Sequence, residues 1–116
     1  MTNLSPNPTQ VPSAISAFQA AHDRRDTETA LAQFAAGATV VDDGRTYEGI
    51  AAVETFVSTA ASEYTYTRTL LAAEEVAPDQ WRITNRLQGN FPGGQVDLTY
   101  EFLLADGLIT CLTIAP

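Results

Sequence analysis

The stretch that decides the fold is residues 38–49, which read Ala-Thr-Val-Val-Asp-Asp-Gly-Arg-Thr-Tyr-Glu-Gly. The β-branched residues 39–41 favour a buried strand, and Asp43-Gly44 is typical of a two-residue turn that returns the chain as a hairpin. Asp42 therefore lies where an apolar strand meets its turn. A carboxylate in this position either caps the turn or projects into a cavity, and only the second arrangement implies chemistry.

Helical spacing of apolar residues on both sides of this hairpin predicts three helices. Their expected bounds, set by start and stop residues such as Pro12, Asp26 or Thr27, and Gly37, are residues 12–25, 26–37 and 49–62. His22 shares one side of the first helix with Phe18. The first two helices precede the hairpin, and the third follows it.

From residue 64 onward the period changes to two, which predicts strands. The expected strands are residues 64–76, 81–91, 95–104 and 108–114, separated by turns at 77–80, 92–94 and 106–107. These connections are too short for crossovers, so neighbouring strands must run antiparallel. Asn85 is the polar member of the otherwise apolar side of the second strand.

Composition and charge restrict the class of protein. The 116 residues carry 14 acids against six bases, all of them arginine, for a net charge of -8. Such a chain repels nucleic acids and anionic membranes, and the absence of lysine excludes Schiff-base chemistry. Cys111 is the single cysteine, so no internal disulfide can form.

Domain organisation is predicted to be simple. Residues 1–10, rich in proline and asparagine, are expected to form a flexible arm, and residues 11–116 a single domain. The start of the chain lacks the features of a signal peptide, and no apolar run reaches the ~20 residues that span a bilayer. We therefore expect a cytoplasmic protein.

The order of elements predicts an α+β fold. Three N-terminal helices would pack on a strongly curved antiparallel sheet that forms a conical half-barrel. A curved sheet that closes on helices leaves a hollow, and such a hollow is a natural pocket for a small molecule.

Several segments resemble the nuclear transport factor 2-like superfamily, which includes SnoaL-like polyketide cyclases, ketosteroid isomerases and limonene epoxide hydrolases. The resemblance covers about residues 12–116 and depends on the order of elements and on segments 34–40, 47–49 and 106–109, which read FAAGATV, YEG and DGLI. It implies the conical fold just described, a small-molecule ligand, no cofactor, and a homodimer formed through the open face of the sheet.

The resemblance also implies roles for individual residues. Asp42 occupies the place of the general base of ketosteroid isomerases, directly after the Ala-Thr-Val segment. The tyrosine that donates to the oxyanion in those enzymes corresponds to Phe18, which has no hydroxyl, and their protonated acid falls near Thr99. The usual ketosteroid isomerase machinery is therefore incomplete in this chain.

The residues themselves leave alternatives open at each candidate position. Asp42 is a base with a burial-raised pKa, or a turn cap. His22 orients or protonates a ligand, or is a helix-end residue with a backbone partner. Asn85 bonds a ligand, a water or Asp42, or makes a structural hydrogen bond. The other candidates for ligand contact, most of them aromatic residues that equally suit the core or an interface, are Phe18, Tyr64, Trp81, Phe91, Thr99 and Tyr100.

Metal and nucleophile chemistry have no support in the sequence. One histidine and scattered carboxylates match no zinc or calcium spacing, and neither a phosphate-binding glycine loop nor a nucleophile elbow occurs.

Taken together, the sequence predicts a pocket protein that binds a small, largely apolar, oxygen-bearing molecule. It would catalyse a cofactor-free proton transfer, an isomerisation or cyclisation, with Asp42 as base. The alternative is a non-catalytic binding or dimerisation module.

Overall fold

The structure of the chain is a computed structural model, and it describes residues 11–58 and 65–116. The predicted arm at residues 1–10, the end of the third helix and Tyr64 lie outside these ranges. The helices and strands are α1 (Ser13–Asp23), α2 (Thr27–Leu31), β1 (Phe34–Asp42), β2 (Arg45–Glu48), α3 (Ile50–Ser58), β3 (Tyr66–Ala77), β4 (Gln80–Gly89), β5 (Gln95–Ala105) and β6 (Leu108–Ala115). Within the described ranges, none of the helices has the length and apolar character needed to cross a bilayer.

All six strands form one sheet in the order β2-β1-β6-β5-β4-β3. Four of the neighbouring pairs are antiparallel, whereas β1 and β6 are parallel. An antiparallel sheet was expected, but this sheet is mixed because it contains one parallel pair. The parallel pair arises because β1 of the hairpin β1-β2 lies beside β6, the last strand of the chain, and not beside a strand that is its neighbour in sequence. The edges β2 and β3 do not meet, so the sheet stays open.

The helices cover one face of this sheet, called here the inner face. Register shifts interrupt β1, β3, β5 and β6, and such bulges bend strands. The inner face and the helices share a core whose largest side chains include Phe18, Phe56 and Phe102. On β4 the predicted alternation is present, with Ile83 and Asn85 buried and their neighbours less so. The α+β prediction, with helices packed on a curved open sheet, is confirmed.

The boundary between the second helix and the first strand differs from the prediction. The helix was expected to continue to Gly37, but α2 ends at Leu31 and β1 begins at Phe34. Phe34 pairs with Ile109 of β6, and the Ile109 amide donates to the Gln33 carbonyl oxygen at 2.8 Å. Pairing with a distant strand thus gives this short segment a strand conformation, although its local sequence pattern suits a helix.

Candidate functional site

Asp42 ends β1 on the inner face. It lies on the same side of the strand as the buried Val40, because alternate residues share a face. The turn that follows has positive φ at Asp43 and Gly44, as a tight hairpin requires. The half-buried carboxylate has no hydrogen-bond partner among residues 11–58 and 65–116, so it caps nothing there. Burial raises the pKa of Asp42, and the charge of Asp43 raises it further.

Tyr100 lies across the inner face from Asp42. Ile114 is the cross-strand partner of both residues, so the backbones of Asp42 and Tyr100 are two strand spacings apart, about 10 Å. The Tyr100 hydroxyl has no partner in the described part of the chain, which holds no side-chain oxygen that is both fully buried and unpaired. This hydroxyl therefore contacts accessible space. Burial first, and then Tyr66, raises the pKa of Tyr100, which keeps the phenol protonated.

His22 is held between two aromatic rings. Its imidazole stacks on Phe18 at 5.3 Å and on Phe56 at 5.9 Å between ring centroids. Burial lowers the pKa of His22, and the opposing effect of Asp23 is smaller. The ring is therefore neutral at pH 7. Phe18 itself is 1% exposed and belongs to the core.

A polar network joins α1 to the inner face beside these residues. Asn85, fully buried, donates through Nδ2 to Gln19 Oε1 at 3.2 Å. Arg68 Nη1 donates to the same Gln19 oxygen at 3.0 Å and to Asn85 Oδ1 at 3.3 Å. Arg68 Nε donates to Asp23 at 2.9 Å, and the Tyr66 hydroxyl donates to Asp23 at 3.4 Å. Asn85 therefore makes structural hydrogen bonds to Gln19 and Arg68, which was one of the alternatives that its sequence position left open.

Gln19, Asp23 and Arg68 were missed as members of this site. The available signal was Arg68, which alternates with Tyr66 and Leu70 on one side of β3, because a cation that faces inward needs partners. Burial raises the pKa of Tyr66 to about 12, and the carboxylate of Asp23 adds to this effect. Burial first, and then the network through Asp23, keeps the Tyr66 phenol protonated.

The remaining predicted ligand contacts are not brought together. Trp81 is half-buried and packs against the core, and Phe91 is half-buried in the β4-β5 connection. Thr99 is the cross-strand partner of Thr84 and lies on the face opposite to Tyr100. Its side chain therefore points away from Asp42. Tyr64 lies outside the described residues.

Two pockets border the helices. One, of about 630 Å³, is an open groove among α2, α3 and the start of β1, lined by Leu31, Phe34 and Ile50 among others. The other, of about 180 Å³, lies between α1 and the strands β3 and β4. Neither is lined by Asp42 or Tyr100.

In the ranges that the structure describes, no three or more His, Cys, Asp or Glu side chains form a group suited to a metal ion.

The inner-face pair can perform proton chemistry. Asp42 offers a carboxylate that has a raised pKa and no hydrogen-bond partner within the described ranges, which is the character of a general base. Tyr100 offers a protonated donor on the same face, and its backbone lies about 10 Å from that of Asp42 across Ile114.

Solved structures share the whole architecture. A protein from Sinorhizobium meliloti assigned as a polyketide cyclase superposes with a TM-score of 0.86 at 28% identity, over 94% of this chain and 99% of that one. A Mycobacterium tuberculosis protein in complex with estradiol-17beta-hemisuccinate gives 0.74 at 22% identity, over 89% and 90% of the two chains. A protein from Catenulispora acidiphila with a ketosteroid isomerase-like fold, in complex with trimethylamine, gives 0.79 at 20% identity, over 91% and 86%.

No protein-family profile and no curated protein sequence matches the chain. The Mycobacterium and Catenulispora structures, at 22% and 20% identity, show the fold alone. The Sinorhizobium protein, at 28% identity, is similar over nearly the full length of both chains. By its fold, the chain belongs to the nuclear transport factor 2-like superfamily.

Proposed function

We propose that this protein binds a small, largely apolar, oxygen-bearing molecule between the inner face and the helices, and catalyses a cofactor-free proton transfer with Asp42 as base. The observation that carries the proposal is the placement of the Asp42 carboxylate and the Tyr100 hydroxyl on either side of Ile114, both without a partner among residues 11–58 and 65–116. Groups without protein partners are free to bond a ligand.

The chemistry follows from the state of each group. Asp42, with its raised pKa, removes a proton from the carbon next to a carbonyl, and the electron pair moves onto the carbonyl oxygen. The protonated Tyr100 donates a hydrogen bond to that developing oxyanion. Return of the proton from Asp42 to another carbon completes an isomerisation. For a cyclisation, the carbanion attacks a second carbonyl, and the proton held by Asp42 returns to the alkoxide that forms. Tyr100 thus supplies from β5 the donor that Phe18 lacks.

The similar structures support the class of ligand. One is assigned as a polyketide cyclase, and another holds a steroid ester, which is an apolar body that carries oxygens. His22, neutral between its two phenylalanine neighbours, would orient such a ligand through hydrogen bonds rather than through charge. Asn85 would act through the network that it forms with Gln19 and Arg68.

The test is to replace Asp42 by asparagine and to measure turnover with a panel of cyclic ketones and polyketide-like compounds. Asp42→Asn keeps the shape of the side chain and removes the base, so we expect turnover to fall by at least about 100-fold. Asp106→Asn is the matched control, because Asp106 is an exposed turn residue with positive φ, which asparagine tolerates, and it does not perturb Asp42. Unchanged turnover in Asp42→Asn would remove this residue from the mechanism.

A second candidate is a non-catalytic ligand-binding or dimerisation module. The observation that favours it is Phe18, which is closed into the core by Phe34 and Phe102 at the position where the isomerases carry their tyrosine. Saturable binding of a steroid or polyketide, without turnover in either the wild type or Asp42→Asn, would support this alternative. For both candidates we infer a homodimer with no nucleic-acid or membrane partner.

A further inference from the structure

The pocket of about 180 Å³ beside α1 is a second site, separate from Asp42. Its walls are apolar where Ile15, Leu70 and Ile83 contribute, and polar where Gln19 and Arg68 contribute. Its lining contains a cation and no carboxylate, although the chain as a whole carries a net charge of -8. The pocket thus presents a guanidinium and no carboxylate in its lining, with Asp23 paired to Arg68 from outside the lining.

The polar end of the pocket presents hydrogen-bond donors. Both hydrogen bonds that fix the Gln19 amide are accepted by its Oε1, from Asn85 and from Arg68, so the orientation of this amide is determined. Its Nε2 has no partner among the described residues although the residue is only 6% exposed. Because no side-chain nitrogen there is both fully buried and unpaired, Nε2 contacts accessible space, and Gln19 is one of the residues that line the pocket.

Arg68, which is ion-paired with Asp23, adds guanidinium donors to the same end. Its Nε bonds Asp23 and its Nη1 bonds Gln19 and Asn85, whereas Nη2 has no partner in the described part of the chain. The side chain is 20% exposed. A guanidinium that is held rigidly by three hydrogen bonds and keeps donors free suits a carboxylate, which accepts and never donates when ionised.

Size limits the ligand. A volume of about 180 Å³ corresponds to roughly six water molecules in the liquid, so it fits a molecule of about six non-hydrogen atoms. The aliphatic walls select a branched or short hydrocarbon body rather than a polar one.

From the charge, the free donors and the volume, we propose that this pocket binds a small aliphatic monocarboxylate, whose oxygens accept hydrogen bonds from Gln19 and Arg68. The hydrocarbon end lies against Ile15, Leu70 and Ile83. The site does not use Asp42 or Tyr100, but it shares the network of Gln19, Asn85 and Arg68 with the proposed function. The Asp42→Asn variant separates the two proposals.

The test is a titration of the full chain, labelled with nitrogen-15, with sodium isobutyrate and separately with isobutyramide, followed by two-dimensional NMR. The two probes have the same shape, but only the first is charged. We expect saturable shifts of the Gln19 side-chain amide and of the Ile15 and Leu70 backbone amides with isobutyrate, and at least about fivefold weaker binding of isobutyramide. Equal binding of both probes, absence of binding, or shifts confined to residues around Asp42 and Tyr100 would each overturn the proposal.

A pocket-filling variant provides an independent readout without disturbing the polar network. Val11 is half-buried at the rim of the pocket, so Val11→Trp should occupy its volume and weaken isobutyrate binding at least tenfold. The matched control is Val76→Trp, at a position that is 41% exposed and outside the pocket lining, which should bind as the wild type does. Asp42→Asn should also bind isobutyrate normally. Wild-type affinity in Val11→Trp would contradict the assignment.

Discussion

At the scale of single residues, the two tyrosines near the site differ in what their hydroxyls do. The Tyr66 hydroxyl donates to Asp23, whereas the Tyr100 hydroxyl has no partner among the described residues. An unpaired hydroxyl contributes little to folding, so Tyr100→Phe should change the free energy of unfolding by no more than about 1 kcal/mol. If Tyr100 stabilises an oxyanion, the same change lowers turnover by about 100- to 1,000-fold, measured by steady-state kinetics on the best ketone of the panel.

The control for this prediction is Tyr66→Phe. It removes a hydroxyl of the same kind, but one that bonds protein, so it should cost about 0.5–1.5 kcal/mol in urea unfolding and affect turnover less than Tyr100→Phe does. If Tyr100→Phe kept full turnover while the Asp42 variant lost it, the oxyanion donor would have to be another group.

His22 makes a pH-dependent contribution to stability. Because burial lowers its pKa in the folded state, the unfolded chain binds a proton at His22 more readily as the pH falls through the unfolded value of about 6.5. The folded state is then disfavoured, in spite of the opposing charge of Asp23. Between pH 8 and pH 5 the wild type should therefore lose more unfolding free energy than His22→Phe, as measured by urea titrations at both pH values. An equal loss in both proteins would show that the imidazole is not desolvated.

The sequence identified the candidate base but not its surroundings. Asp42 was recognisable because a β-branched run and a turn signal flank it, and both are local. Thr99 illustrates the limit, because a shift of one residue along a strand exchanges the two faces, and Tyr100 is the residue that faces inward. The Gln19-Asn85-Arg68 network joins residues up to 66 positions apart, and no local pattern contains that information.

At the scale of elements, Gly89 sets how closely β3 and β4 approach at their far end. It pairs with Tyr66, and a Cβ at this position would overlap the Thr65 carbonyl oxygen and lie 2.9 Å from the Tyr66 Cα. Gly89→Ala should therefore cost about 1–3 kcal/mol, because backbone atoms must move apart. The measurement is the urea unfolding midpoint, and an unchanged midpoint would contradict this close approach.

Gly37 is the matched control, since a Cβ there meets nothing within 4 Å and its φ is not positive. Gly37→Ala should be neutral or stabilise the protein by up to about 1 kcal/mol, because alanine restricts the unfolded chain more than glycine does.

Elements with a clear period were predictable, and those that depend on remote pairing were not. The strands β3 to β6 were predictable from their alternating apolar and polar residues and from turn residues such as Pro78-Asp79 and Asp106-Gly107. Asp79, Asp106 and Gly107 have positive φ, as tight turns require. The segment from Ala32 to Gly37 carries alanines that suit a helix, and only its position beside β6 makes most of it a strand. The parallel contact of β1 with β6 is likewise a property of the assembled sheet.

At the scale of the whole molecule, we expect copies of the chain to associate through the sheet face opposite to the helices. Ion pairs cross this face, with Arg86 Nε at 2.8 Å from Asp97 and Arg82 Nη2 at 3.1 Å from Glu101. Beside them Leu103 is 42% exposed and pairs across the strands with the half-buried Cys111. An exposed apolar position with ion-paired charges at one side of it suits an interface that has a polar rim.

We therefore expect a homodimer that buries Leu103 of both copies, with a scattering mass of twice the 12.4 kDa of one chain and a radius of gyration well above the 13.5 Å of a single copy. Leu103→Glu places two like charges at this contact and should shift the protein toward monomer, because an unpaired buried carboxylate is costly. Val76→Glu, at an equally exposed position on the edge strand β3, should remain dimeric. Light scattering after gel filtration decides the question: a wild type that stays monomeric across the concentration range contradicts the homodimer, and a dimeric Leu103→Glu moves the interface elsewhere.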